Sequence, residues 1–480
     1  MPIIANARRV RALSLSPIAA VSMLYAPALW AAAVEGPMVG GIPVDFILFA
    51  ITLVCVGVFH HHTLAVALTG LAVVAAYKLA FTGFKTGDGL AGLGAHFAHE
   101  WVILTNLLGL LLGFALLSNH FEKSHVPAAL PRVLPDDWKG GFVLLALIFV
   151  LSAFLDNIAA ALIGATIAAA VYRRKVHIGY LAAIVAASNA GGAGSVLGDT
   201  TTTMMWIDGV SPIAVLPAFI AATAALLVIG LPAALLQQRH SPIVKDPSAR
   251  IAIDWARVWI VVIILLSAVA TNVMVNSRAP HLADMVPALG LAVWVALLLT
   301  AFWRRPEWSL LPEAFKGSIF LLALVSIASI MPVERLPAAS WQSAFALGFV
   351  SSIFDNIPLT ALALKQGGYD WALLAFAVGF GGSMIWFGSS AGVAVSNMFP
   401  EARSVGAWLR HGWFVAVAYV VGFFVMLALW GWHPGDKRER AVSALEPGAM
   451  LAARGQPSAA LGCPQTPRAP CGLLTPSKRA

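Results

Sequence analysis

Long apolar runs separated by short polar loops set the character of this chain. Runs at 43–59, 63–82, 101–118, 213–236, 258–275, 286–302, 315–331 and 411–430 approach or reach the ~20 mainly apolar residues that cross ~30 Å of hydrocarbon. Each is expected to be a helix, because a segment facing lipid must satisfy its own backbone hydrogen bonds. Two further apolar stretches, 142–172 and 341–365, resist that reading. The first is too long for one crossing, and both carry an acid–amide pair near the middle: Asp156-Asn157, and Asp355-Asn356 followed by Pro358. A hairpin that enters the membrane, turns at the Asp-Asn and leaves by the same side accounts for both. Short Asp and Asn side chains suit such a turn because they bond nearby backbone groups.

Each hairpin is followed by a span broken by glycine. Residues 188–206 read SNAGGAGSVLGDTTTTMMW, with Gly191-Gly192 and then Gly198-Asp199-Thr200. The second half has Gly381-Gly382 and then Gly388-Ser389-Ser390 at the same internal spacing. One design used twice in opposite orientation points to a transporter built as an inverted repeat, with its site where the breaks meet. Irregular backbone is tolerated at membrane depth where it lines a cavity. Gly70, Gly109 and Gly113, by contrast, read as close helix packing.

The expected fold is an all-α polytopic membrane protein of about 10–11 transmembrane helices, with two re-entrant hairpins and two broken helices. Segment 1–33 is a signal-like or first transmembrane segment, with Arg8, Arg9 and Arg11 ahead of an apolar run. Residues 34–236 form a first repeat, with hairpin 142–172 and broken helix 178–208. A cytoplasmic linker, 237–257, leads to the inverted second repeat, 258–432, with hairpin 341–365 and broken helix 370–399. Residues 433–480 form a disordered basic tail.

Composition agrees: 60% of the 480 residues are hydrophobic and 11% charged, too few charges for a soluble domain of this size. The formal charge of +8 falls in short loops, so it marks topology rather than a nucleic-acid partner. With the hairpins re-entrant, Lys123, Arg132, Lys139, Arg173, Arg174, Lys175, Arg304, Arg305 and Arg403 are cytoplasmic, while Lys85, Arg278, Arg335 and Lys365 fall in external loops. Cys55, Cys463 and Cys471 give no disulfide framework and no zinc spacing. His60-His61-His62 reads as a polar helix end, because adjacent helical side chains point apart.

The candidate chemistry lies at the turns and breaks. Asp156, Asn157, Asn189, Asp199, Thr200, Thr201, Asp355 and Asn356 are the expected cation- and proton-binding residues. Ser188, Gly191, Gly192, Gly198, Gly381, Gly382, Ser383, Gly388, Ser389, Ser390 and Asn397 are expected to line the breaks and the pocket. Intramembrane carboxylates are costly. With no Lys or Arg beside them they must be protonated or hold a cation, and carboxylate, hydroxyl and carbonyl oxygens suit a small hard one. Asp199 corresponds to Ser389, so the main Na⁺ site, with Asp156 and Asp199 as ligands, is expected in the first repeat. No nucleotide-binding loop is present, so ion gradients drive the cycle.

Asp156-Asn157-Ile158, residues 189–206, Asp355-Asn356-Ile357-Pro358-Leu359 and GGSMIWFGSSAGVA (381–394) resemble the NhaD-type sodium/proton antiporters. These belong to the ion transporter superfamily, with citrate-transporter-like, arsenite and dicarboxylate carriers as relatives. The resemblance covers roughly residues 40–430. It implies secondary active exchange of Na⁺ or Li⁺ for protons by an elevator-like homodimer in a bacterial-type inner or plasma membrane, without a cofactor and without enzymatic activity. One departure stands out: the family carries hydroxyl residues just after the first Asp-Asn, where this chain has Ala159-Ala160. The alternative is a sodium-coupled carrier of a dicarboxylate, citrate-like or other anion, drawn to half-helix N-termini. An intramembrane aspartyl protease fits less well, since Leu197 precedes Gly198-Asp199 and Leu155 precedes Asp156, and a second hairpin would have no purpose there. A channel would not need broken inverted repeats.

Overall fold

The computed structural model describes residues 36–59, 62–244, 252–279, 282 and 285–435. Segment 1–33, His60-His61, part of the linker and the tail beyond residue 435 lie outside the described residues. The rest is an all-α polytopic membrane protein whose one small sheet pairs Met38–Val39 with Ile42–Pro43. The first half comprises α1 (Val44–Val58), α2 (Thr63–Tyr77), α3 (Gly89–Glu122), α4 (Trp138–Ser152), α5 (Asn157–Val171), α6 (Ile178–Ala193), α7 (Thr200–Ile207) and α8 (Ala218–His240). The second comprises α9 (Trp255–Arg278), α10 (Ala288–Thr300), α11 (Leu311–Ser329), α12 (Trp341–Ser351), α13 (Asn356–Gln366), α14 (Trp371–Gly381), α15 (Ser390–Met398), α16 (Val405–His411) and α17 (Trp413–Leu429).

Among the described residues, five helices are long and apolar enough to cross a membrane alone, or six if α16 and α17, bent by 61°, count as one. The shorter apolar helices, α4, α5, α6 and α14 among them, are short because the polar pairs and glycines interrupt them. α4 and α5 form a hairpin: Gly141 near the start of α4 faces Tyr172 just past α5, and Gly164 of α5 faces Ile148 of α4. Asp156 stops the turn by capping α5, accepting from the Ile158 N–H at 3.2 Å. Asp355 caps α13 in the same way, through the Ile357 N–H at 3.0 Å.

The helices fall into two packed groups. A frame group holds α1, α2, α3, α9, α10 and α11. Its glycines serve close approach, Gly70 against Thr52, Gly109 against Gly290 and Gly113 against Val293. A hairpin group holds α4–α8 and α12–α17, with α6 and α14 almost wholly buried at its centre. Within it the halves interlock: α5 packs on α15, and α13 on α7.

The glycines of the breaks have matching duties in the two halves. A Cβ on Gly191 would strike the Phe149 backbone, and one on Gly381 the Gly348 backbone. Gly198 lies against the Ser152 carbonyl and Gly388 against that of Ser352. Gly192 and Gly382 close the two breaks against the Gly198 and Gly388 carbonyls. Serine clips add to this: Ser152 Oγ donates to the Ser188 carbonyl at 2.6 Å, and Ser351 Oγ to the Val378 carbonyl at 2.7 Å. Each hairpin is thereby joined backbone to backbone with the broken helix that follows it.

Candidate cation site

Four helix N-termini begin at the hairpin tips and breaks, those of α5, α7, α13 and α15. Each is capped by its own side chain: Asp156, Asp199, Asp355 and Ser389. A cap needs one oxygen, which leaves a carboxylate with a second one to offer.

Asp199 is 1% exposed, and its two oxygens differ. Oδ1 accepts from the Thr201 N–H and from Asn157 Nδ2, both at 3.2 Å. Oδ2 is buried and has no hydrogen-bond partner, and neither has Thr201 Oγ1. Orphaned buried oxygens are costly and call for an explanation, of which an unseen ion is one. Around them runs an amide relay. Asn157 Nδ2 also donates to Asn189 Oδ1 at 3.0 Å, and Asn189 Nδ2 donates across the halves to Ser383 Oγ at 2.9 Å and Ser389 Oγ at 3.1 Å. Asp355 accepts from Ser390 Oγ at 3.2 Å.

A cavity of about 990 Å³ opens onto this cluster. Asp156, Asn157, Asp199, Thr200, Asn356 and Ser390 face it, while Leu107, Leu111, Phe114, Leu162 and Phe320 form apolar walls. Its far end is lined by Asn119, Glu122, Pro131 and Ala314. There, basic loops gather: Lys123 pairs with Glu307 at 2.5 Å and Arg304 with Asp254 at 2.9 Å. The Arg304 guanidinium, through its hydrogen bond, holds the Asp254 carboxyl below the usual range. No basic side chain is among the residues that line the cavity.

Several expected residues lie elsewhere. Asn397 is exposed at the far end of α15, seven residues or about 10 Å beyond Ser390, and accepts from Arg403 Nη2 at 2.5 Å. Ser188 turns its hydroxyl onto the Val185 carbonyl of its own helix, at 2.9 Å. Asn189, Thr201, Ser383 and Ser389 stand behind the cavity wall, and Gly191, Gly192, Gly198, Gly381, Gly382 and Gly388 sit in backbone contacts. Lys365, assigned above to an external loop, ends α13 and bonds Glu100. Two of the four threonines are fasteners: Thr202 Oγ1 donates to the Ser195 carbonyl at 2.6 Å and Thr203 Oγ1 to the Val196 carbonyl at 2.8 Å. Gly379 escaped the sequence reading. A Cβ there would stand 2.9 Å from Asp199 Oδ2, so its missing side chain leaves room beside the orphaned oxygen.

No protein-family model matches the chain. It is 28% identical over 331 residues to Sodium/proton antiporter 1 of Arabidopsis thaliana, a match covering 62% of this chain and 56% of that protein. Sodium/proton antiporter 2 of Arabidopsis thaliana is 28% identical over 333 residues, covering 62% and 77%. Na(+)/H(+) antiporter NhaD of Halomonas elongata is 24% identical over 298 residues, covering 51% and 58%. These relatives support the NhaD-type family. The chain thus spans little more than half the length of the first of them. Ala159, one of the two alanines at which the sequence departs from the family it resembles, lines the cavity, while Ala160 is fully buried.

Proposed function

We propose that this chain is a secondary active transporter that exchanges Na⁺ or Li⁺ for protons across a bacterial-type inner membrane. The observation that carries the reading is the orphaned Oδ2 of Asp199, buried at the floor of a cavity without a basic lining residue. Asp199 and Asp156 are the ligands, with Thr200 and Thr201 adding oxygens; Asn157 and Asn189 orient Asp199. Deprotonated, Asp199 offers an anionic oxygen to the cation; protonated, it is neutral and needs none. One carboxylate then serves both ions in turn, which is competition for a common site and gives exchange. Asp355 and Asn356 supply the weaker counterpart in the second half.

The matched glycine contacts and serine clips support an inverted repeat, and with it alternating access; a homodimer is what the resemblance to the NhaD-type antiporters implies. A sodium-coupled anion carrier is the less favoured reading, because the four helix N-termini that would attract an anion are already met by their own caps.

The test uses everted vesicles from antiporter-deficient cells, with the lumen acidified and a pH-sensitive dye following proton release. Na⁺ or Li⁺ should dequench the dye with the parent protein and not with Asp199→Asn. Silence with every cation, together with sodium-dependent dicarboxylate uptake, would replace antiport with anion carriage.

A further inference from the structure

Glu100 of α3 and Lys365 in the last turn of α13 meet across the seam between the frame and hairpin groups, Nζ to Oε1 at 2.6 Å. Glu100 is 4% exposed and the Lys365 side chain 23%. They share a small hollow with Asp208, at the end of α7. One turn away on α3, His96 hydrogen-bonds Ser329 Oγ at the end of α11, 2.9 Å. This end of α3 is remote from the mouth of the cavity, which Asn119 and Glu122 flank near the other end of the same helix.

The two hairpins therefore meet the frame differently. α5 faces α3 and α11 across the open cavity. α13 packs directly on α11 and is held to α3 by the ion pair.

We infer that Glu100 and Lys365 are positioning residues: their ion pair holds the carrier with its site open toward the basic end and must break before the site can face the other side. The inference rests on the alternating-access reading above. Exposure of the site to the opposite end requires the head of α13, with Asp355 and Asn356, to part from α11. Because Lys365 rides on α13 and Glu100 on the frame, that parting pulls the charges apart. A buried carboxylate left without its cation is strongly disfavoured, so the pair stabilises this one arrangement over its alternative. A carrier without the pair is released toward the opposite state.

Accessibility tests this without reference to the transported ion. Ser118, which lines the cavity on α3, is replaced by cysteine in full-length protein whose Cys55, Cys463 and Cys471 are alanine. A membrane-impermeant maleimide is applied to everted vesicles. The parent should label readily. Glu100→Gln and Lys365→Met should each slow labelling of the folded protein about tenfold, equivalent to ~1.4 kcal/mol lost from the open-to-this-side state. The swapped double variant Glu100→Lys/Lys365→Glu should recover most of the rate. A staple with no bearing on sidedness would lower folded yield and leave the labelling rate of the folded fraction unchanged, which overturns the inference. Should the single variants fail to insert, Glu100→Asp, which keeps the charge and stretches the contact, should slow labelling severalfold; a parental rate there also overturns it. Failure of every cation to drive proton release would count against the proposed antiport and leave this labelling result standing.

Discussion

The two broken helices share a scaffold and differ in the one atom group that matters most. Both bring a hairpin tip, a pair of glycines and a serine clip into the same backbone contacts. At the head of the second half-helix, however, the first break places Asp199 and the second Ser389. Each caps its helix from an extended backbone, Asp199 through the Thr201 N–H and Ser389 through the Gly392 N–H. Only Asp199 retains a second, unpartnered oxygen. Ser389, having given its one oxygen to the Gly392 N–H, also accepts from Asn189 and thereby braces the site in the other half. The matched contacts supply the same shape twice, and on the proposed reading the acid–hydroxyl difference concentrates the charge chemistry in one half.

The largest effect should come from that difference. Asp199→Asn keeps the cap and removes the charge, and exchange should fall by ~100-fold or more, since a desolvated cation loses an anionic ligand worth several kcal/mol. Ser389→Ala removes neutral hydrogen bonds and should leave exchange within about tenfold of parent. Initial rates of Na⁺-driven proton release, normalised to inserted protein, compare the two; equal losses would erase the distinction. Next, Gly379→Ala pushes a methyl group against Asp199 Oδ2 and should cost about tenfold in rate through overpacking. Gly406→Ala, where a methyl meets open space, should match parent. Parity of the two alanine variants would mean that Oδ2 is free to turn away.

A third comparison separates ligands from fasteners within the threonine run. Thr201→Val should raise the KM for Na⁺ roughly threefold by removing an uncharged oxygen, with the melting temperature unchanged. Thr202→Val should instead cost about 1 kcal/mol of stability by cutting its bonds to the Ser195 and Asp199 carbonyls, with KM unchanged. The reverse pattern would exchange their roles.

The smallest effect concerns how the two central helices are capped. α14 starts at Asp370, which accepts from the Ala372 and Leu373 N–H groups, whereas α6 starts at His177, which accepts from the Gly179 N–H. Burial pushes the His177 imidazole below its ordinary 6.5, and the nearby His411 and His240 add to the shift. The folded state therefore favours neutral His177. Its contribution is complete above pH 6.5 and is lost progressively as the pH falls below that value toward the depressed folded one. Melting curves of His177→Gln should show a shallower decline on acidification than the parent; identical slopes would remove His177 as the cause.

What could be read before folding was whatever repeats or interrupts. The Asp-Asn pairs and the glycine spacing stand out because apolar surroundings make them anomalous, and their duplication ties them to one design. Sidedness along a helix was harder: Asn397 has the right chemistry but sits two turns past the break, where Arg403 takes its oxygen. Partners remote in sequence were invisible. Lys365 reads as a loop cation until Glu100, 265 residues away, is found beside it. Glu100 itself fell just outside the expected span at 101–118, because α3 starts at Gly89. Gly379 carried no signal, being one small residue in an apolar run whose only distinction is the oxygen opposite.

The apolar-walled cavity has an electrical consequence. Its volume accommodates about thirty waters at ~30 Å³ each. Filled with solvent, such a space conducts the potential of the aqueous phase down to Asp199, so the transmembrane voltage drops mainly across the packed layer between Asp199 and the Glu100–Lys365 end. An ion reaching the site from the cavity crosses little of the field and sheds its hydration only in the last few ångströms. In the exchange cycle proposed above, the voltage would then act on the reorientation of the loaded or unloaded carrier rather than on binding, and the short sealed layer, not the length of the molecule, would be the distance over which membrane potential does work.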